Sequence, residues 1–583
     1  MKSGFSSLNE LLFSSKEISS VGTVGTMRLL RGGAARLLNF VGRCLSYTST
    51  RSYGCFLMSF GGLSLLLHLI DYYFKSSPTL PLRTLILCAV IVFASMPLLY
   101  FSKPICIAFQ DFALTDRIFF EFMSIKRMHR NIEHKSISPI FAVFLGFIPS
   151  ILGYFLTVEW VLLGMVIAIL AVIAFTSPEF SMILTVILLP YLSLFPNPTL
   201  LLCSLSAVTF LSYAMKVIIG KRSFSFDVYS IIVILVMLVA LVGGVSGYGG
   251  ATLVGSLEFI ALIIGYFPIS NIVINRRLAD SVLSAVVISA VPITLISVIE
   301  FIVELPVTPF EPPAYSTPGI SAFFSSTSAL AAFLLVSAIL TLVYVFEKKN
   351  RTATVFYALF FVLELAVLCV ALQPGVWVAS LFAIIAYLVI KSHRIPIDTV
   401  LLLVVIAHLV FLIPSEVLDA LYGYVGVTPS YSDRLSLYEE GLHLFGEHPW
   451  FGTDMGTGMQ GGAAYFCNAI LGVGIELGAI VLILFAFAFI IRMRHLSYYR
   501  IYIRNSATAT VGDMTAVSII ALLVYGAFDN VFSDVNVAYV FLLVFALSTA
   551  ALRTAKREND DLLGYYGDSS SQDSSALDVS IAR

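Results

Sequence analysis

The sequence predicts an all-α fold: a polytopic transmembrane helix bundle of about 16 spans, with a large extracytoplasmic helical loop before the third-last span. Three observations carry that expectation. Of 583 residues, 59% are hydrophobic and only 12% are charged, with a mean hydropathy of +0.95. Soluble domains carry about 25% charged residues. The apolar residues come in long unbroken runs, many close to the ~20 residues a helix needs to cross hydrocarbon. Lysine and arginine, finally, are confined to alternate connections between those runs. A formal charge of −1 gives no global field for polyanions, so nucleic acid is not an expected partner.

The runs begin near Cys55, Leu85, Pro139, Trp160, Met182, Thr199, Val228, Thr252, Ser281, Ala329, Val355, Val376, Thr399, Ala469, Ala516 and Val535. Each is expected to be helical because backbone facing lipid must satisfy its own hydrogen bonds. With the N-terminus in the cytoplasm, 31 of the 34 Lys and Arg residues fall on the inner side; only Lys75, Arg83 and Arg434 fall outside. That asymmetry predicts an even number of spans with both termini cytoplasmic.

Four regions follow. Residues 1–52 form a basic cytoplasmic segment. Residues 53–200 hold the first transmembrane helices, with a basic cytoplasmic loop at 102–138. Residues 201–557 form the main transmembrane domain, with outer loops at 304–328 and 414–465. Residues 558–583 are an acidic, serine-rich cytoplasmic tail predicted to be disordered. The seven cysteines show no CxxC pair, and most lie in apolar runs where a thiol behaves as a small hydrophobe. No metal site, disulfide framework or cofactor is expected.

Chemistry is expected in the outer loops. Loop 304–328 holds five prolines and three phenylalanines and reads equally as a stiff lid or a rigid spacer. Loop 414–465 is more informative. Ser432 suits a helix N-cap, after which Leu435, Tyr438, Leu442 and Phe445 recur at helical spacing as an apolar face. Asp433, Ser436, Glu440, His443 and Glu447 mark a polar face, so an amphipathic helix along the membrane surface is predicted. Six glycines follow between Gly446 and Gly462, suited either to close approach of backbone to a ligand or to a flexible connection. Arg434 is the only outer cation in this loop. It sits in the first helical turn, where free amides also favour an anion, and guanidinium matches phosphate geometry. The same side chain fits a salt bridge to Asp433, Glu439 or Glu440 equally well. His68, Asp71, Glu258, Glu300, Glu364, His408, Glu476 and Asp529 lie in or at the edges of spans; taken singly, each is read as an interhelical hydrogen bond before a catalyst.

The segment SDRLSLYEEGLHLFGEHPWFGTDMGTG, followed by CNAILGVGIELG at the head of a span, resembles the O-antigen ligase and O-antigen polymerase family of bacterial envelope enzymes. The resemblance rests on Arg434 opening an outer helix, the His448-Pro449-Trp450-Phe451-Gly452 turn, Cys467-Asn468, and Glu476-Leu477-Gly478. It implies an inverting glycosyltransferase in the bacterial cytoplasmic membrane that needs no nucleotide or metal. Such an enzyme moves a glycan from a polyprenyl diphosphate carrier to an acceptor glycan, polymerising or ligating it outside the membrane, alone or with other polysaccharide assembly proteins. Arg434, Gly452, Gly456 and Asn468 would bind the diphosphate. The family's proposed catalytic histidine is replaced by Cys467, a poor base at its ordinary pKa near ~8.5, so the proton acceptor falls to His448, His443, Glu440, Glu447 or Cys467 itself. A second family arginine is replaced by the Gln373-Pro374-Gly375 turn. These departures keep two alternatives open: a non-catalytic component of polysaccharide assembly, and a flippase for lipid-linked saccharides. The latter is disfavoured because no internal repeat and no Lys or Arg is read within a span.

Overall fold

A computed structural model describes residues 16–18, 47–74, 82–101, 138–246 except 221, 253–303 except 274–275, 320–347, 351–391 except 372, 431–452, 468–502 and 509–557, with short stretches inside 103–127 and 404–407. The architecture is helical. One small sheet pairs β1 (Lys16–Ile18) antiparallel to β2 (Phe224–Phe226). The helices are α1 (Thr50–Phe74), α2 (Leu82–Tyr100), α3 (Pro139–Leu156), α4 (Val158–Thr176), α5 (Pro178–Leu188), α6 (Pro198–Ile219), α7 (Val228–Ser246), α8 (Leu253–Ile263), α9 (Arg276–Val303), α10 (Thr327–Glu347), α11 (Arg351–Val370), α12 (Pro374–Lys391), α13 (Tyr431–Glu447), α14 (Ala469–Tyr502), α15 (Ala509–Tyr525) and α16 (Val535–Arg557). Shorter helical segments join some of them.

Among the described residues, twelve helices are long and apolar enough to cross a membrane, and three more apolar helices, 178–194, 375–390 and 510–525, are shorter. Fifteen of the sixteen predicted runs fall on or beside these helices. The run near Thr399 lies outside the described residues, apart from 404, 405 and 407. The chain is a multi-pass membrane protein.

It divides into two compact units. One comprises 19–181 and 211–223. Here α1 is held against α2 and α3 by small residues, the usual device where no hydrophobic drive separates helix from lipid. A Cβ on Gly146 would lie 2.8 Å from the Ser59 Cβ, and Ser59 Oγ donates to the Val143 carbonyl at 2.8 Å while Ser150 Oγ donates to that of Phe60 at 3.0 Å. The same unit contains a closed ion cluster. Glu179 on α5 accepts from Lys216 Nζ on α6 at 2.8 Å and from Arg222, and both Glu179 and Lys216 are fully buried.

The second unit comprises 1–18, 182–210 and 224–583. Its centre is α10 and α16, each 78% buried across its apolar window. Intramembrane carboxylates are tied down here by hydrogen bonds. Glu364 accepts from Ser337 Oγ, Glu300 from the Ser321 and Ala322 amides, and Asp529 from Ser328 Oγ and the Asn530 amide. Buried cations depart from expectation, since helices α6 and α14 run far enough to enclose Lys216 and Arg492. Arg492 is tolerated because its guanidinium lies between the rings of Tyr229 and Phe545, at 4.3 and 4.8 Å, and donates to Thr549. Aromatic faces offset part of the desolvation cost.

Candidate functional site

The predicted amphipathic helix is present as α13. It begins at Tyr431, one residue before the expected Ser432 cap, a difference within the usual uncertainty of helix ends. Arg434 stands in its first turn; side chains of 431–437 lie outside the described set. The buried face differs from the expected one. Leu444 and Phe445 pack on Ile475 of α14, whereas Leu442 is exposed.

After α13 the chain turns through His448-Pro449-Trp450-Phe451-Gly452 and seats on a break in α14. Gly478 interrupts that helix with φ 81° and ψ 170°, a conformation only glycine adopts without strain. The break leaves the Ala479 amide without its helical acceptor, and it donates instead to the Pro449 carbonyl at 2.7 Å. Gly452 also has positive φ, 78°. A Cβ on Gly452 would run into the Glu476 carbonyl, and one on Gly478 into that of Trp450. Two segments separated by more than twenty residues therefore meet backbone to backbone, and each needs a glycine to do so. The end of α7 joins them: a Cβ on Gly243 would stand 3.9 Å from the Phe451 Cβ.

The head of α14 is built with equal economy. Asn468 Oδ1 accepts from the Ile470 and Leu471 amides at 2.9 and 3.0 Å, an N-cap, and the Ala469 amide donates to the Gly526 carbonyl at 2.7 Å. Gly472 lets the Asn530 amide approach; a Cβ there would stand 2.9 Å from Asn530 Nδ2. Burial pushes the Asp534 carboxyl, at the head of α16, above the ordinary aspartate value, against hydrogen bonds from Ser325 and from the Val537 and Asn536 amides.

Beside this junction a cavity of about 200 Å³ is lined by α7, α8, α14, α15 and α16. Val473, Leu477, Val481, Phe485 and Phe489 line it from α14. Val473 and Leu477 precede the break at Gly478, and Val481, Phe485 and Phe489 follow it. Phe541 and Phe545 line it from α16. Glu258, Glu476, Asn530 and Ser533 supply its polar groups, and no described lining residue is a cation.

The other site candidates scatter. His443 Nδ1 pairs with Glu447 at 3.5 Å on an exposed face of α13, and Glu440 is exposed as well. His448 is half-buried in the turn itself. Gly456 and Cys467 lie outside the described residues. Among the described residues, no group of three or more His, Cys, Asp or Glu is placed to hold a metal ion. Glu476, expected from the sequence to make an interhelical hydrogen bond, lines the cavity, a placement that depends on helices far apart in the chain.

Residues 359–486 match the family model described as O-antigen ligase. The match contains α13, both glycines of the junction and the first half of α14. No curated protein matches the chain.

Proposed function

We propose that this membrane protein transfers a glycan from a polyprenyl diphosphate carrier to a hydroxyl of an acceptor glycan, as an inverting glycosyltransferase of surface polysaccharide assembly. The match across 359–486 supports a membrane enzyme of polysaccharide assembly. The observation that carries the finer reading is the seating of the Gly452 turn on the Gly478 break, inside the matched stretch and beside an apolar cavity. Two backbone segments held this closely, with glycine at each contact, form a rigid frame of the kind that positions reacting groups.

In this reading Arg434 binds the diphosphate leaving group, with Gly452 and Gly456 allowing the loop backbone to approach it. Asn468 contributes through the α14 N-terminus it caps. His448 is the base we favour, because the turn carries it to the junction itself, whereas His443 and Glu440 face outward from α13. The acceptor hydroxyl oxygen attacks the anomeric carbon, the bond to the carrier phosphate breaks with its electron pair on the diphosphate, and the hydroxyl proton passes to His448. In this reading the junction lies on the outer side of the bacterial inner membrane with both termini cytoplasmic, which the positive-inside charge asymmetry supports.

The test uses the full chain in vesicles with a labelled polyprenyl diphosphate glycan and an acceptor glycan, without added nucleotide sugar. Wild type is expected to transfer label. His448→Ala is expected to fall by about a hundredfold, in the range for loss of a general base. No transfer by wild type across a panel of such donors, with the protein folded, overturns the reading.

A further inference from the structure

Arg492 is a fully buried cation that the transfer chemistry does not use. It lies on the stretch of α14 that follows the Gly478 break. Its guanidinium carbon stands 4.3 Å from the ring of Tyr229 and 4.8 Å from that of Phe545. Nη2 finds acceptors in the Phe545 carbonyl at 3.4 Å and in Thr549 Oγ1. Nε and Nη1 are buried too and, among the described residues, donate to no acceptor. Nε carries one N–H and Nη1 two, so three of the five guanidinium donors are unmet.

The carboxylate of this region is already matched. Asp227, just before α7, accepts from Arg553 Nη2 at 2.7 Å. Its other oxygen accepts from the Ser230 amide and hydroxyl, each at 2.8 Å. Ring contacts offset only part of the hydration that a buried guanidinium gives up. A water would meet donors and leave the charge uncompensated in surroundings of low dielectric; an anion meets both. Several N–H groups pointing in different directions suit an oxyanion with several acceptor oxygens, of the phosphate class.

Open space adjoins these donors. The cavity is lined by Ala488 and Phe489, about one turn before Arg492 on α14, and by Ile232, one turn after Tyr229 on α7. Phe545 belongs to both settings: it lines the cavity and its ring stands beside the guanidinium. We propose that Arg492 anchors an anion site at the end of the cavity away from the Gly478 junction, reached past the Phe545 ring. Its occupant is a phosphate-class oxyanion, free or as the head of a lipid whose chain lies in the cavity. The site asks nothing of the transfer reaction.

Binding tests it directly. The full chain, delipidated in amphipol, is unfolded by heat across a titration of sodium phosphate, with sodium methanesulfonate at matched ionic strength as reference. In a second arm it is unfolded in nanodiscs of phosphatidylcholine with and without phosphatidic acid. Wild type is expected to show a saturable rise in Tm of at least about 2 °C over the reference in one arm or both. A rise with inorganic phosphate assigns a free anion; a rise with phosphatidic acid alone assigns a lipid head. Arg492→Met is expected to fold, because apolar replacement of a buried ion is often neutral or stabilising. It is expected to need about tenfold or more of the anion for the same rise. Arg494→Met, two residues on and exposed, is expected to respond as wild type does, which separates the site from the general stabilising action of phosphate salts. Absence of a saturable rise in both wild-type arms overturns the proposal, whatever the variants do. So does an unshifted titration in folded Arg492→Met, or a loss in Arg494→Met equal to that in Arg492→Met.

Discussion

Glu179 and Glu476 are both glutamates near the start of apolar helices, and the molecule treats them in opposite ways. Glu179, in the unit of residues 19–181 and 211–223, is closed by Lys216 and Arg222 and fully buried. Glu476, in the other unit, is half-buried and lines a cavity together with Glu258. A charge sealed by opposite charge contributes to holding helices; a carboxylate that lines a cavity stands within reach of a ligand. Burial alone therefore does not mark a functional carboxylate. What surrounds it does.

The largest expected effect breaks the closed member. Glu179→Ala strands Lys216 in an apolar interior, and removing one partner of a buried pair costs about 3–5 kcal/mol. Thermal unfolding in detergent is expected to show a sharply lowered Tm, with any lost transfer explained by lost folded protein. An unchanged Tm would mean that the cluster is not structural.

Next in size is the junction frame. Gly478→Ala imposes a positive φ on alanine and a clash with the Trp450 carbonyl, about 1–3 kcal/mol. Gly474→Ala, four residues earlier, meets only ordinary contacts at 3.5 Å and beyond and is expected to stay within ~0.5 kcal/mol. Chemical denaturation of the two variants side by side checks the contrast.

The cavity-lining member should move activity more than stability. Glu476→Gln is expected to lower transfer by about tenfold, with a loss of Tm well below that of Glu179→Ala. An equal loss of Tm in this variant and in Glu179→Ala would erase the distinction between the two glutamates. Smallest of all is His443→Ala. Its pair with Glu447 is 75% and 51% exposed, and such pairs are worth about 0–1 kcal/mol; transfer is expected to stay within about twofold.

Much of this was legible in the sequence. The apolar runs marked the spans because hydropathy is a local property, and the periodicity from Leu435 to Phe445 marked α13. The letters of both junction segments, Gly452 and Gly478 among them, were visible too. Their contact was not, since a glycine in a helical run does not say whether the helix breaks there; the break needs the Pro449 carbonyl to take up the Ala479 amide. The Lys216–Glu179 pair spans 37 residues and has no local signature. Arg492 read as an ordinary inner-loop cation because its shelter, Tyr229, Phe545 and Thr549, comes from two other helices. The cavity was unreadable for the same reason: it belongs to five helices and to none singly.

The central claim is that the outer segment opening with Arg434 and seated on the α14 break carries glycan transfer from a lipid diphosphate. The most direct measurement is the initial transfer rate of Arg434→Ala in reconstituted vesicles, with unfolding measured on the same preparation. A loss of about a hundredfold or more at unchanged Tm is expected, the scale on which one lost charge-stabilising donor acts. A folded Arg434→Ala protein transferring at the wild-type rate would contradict it.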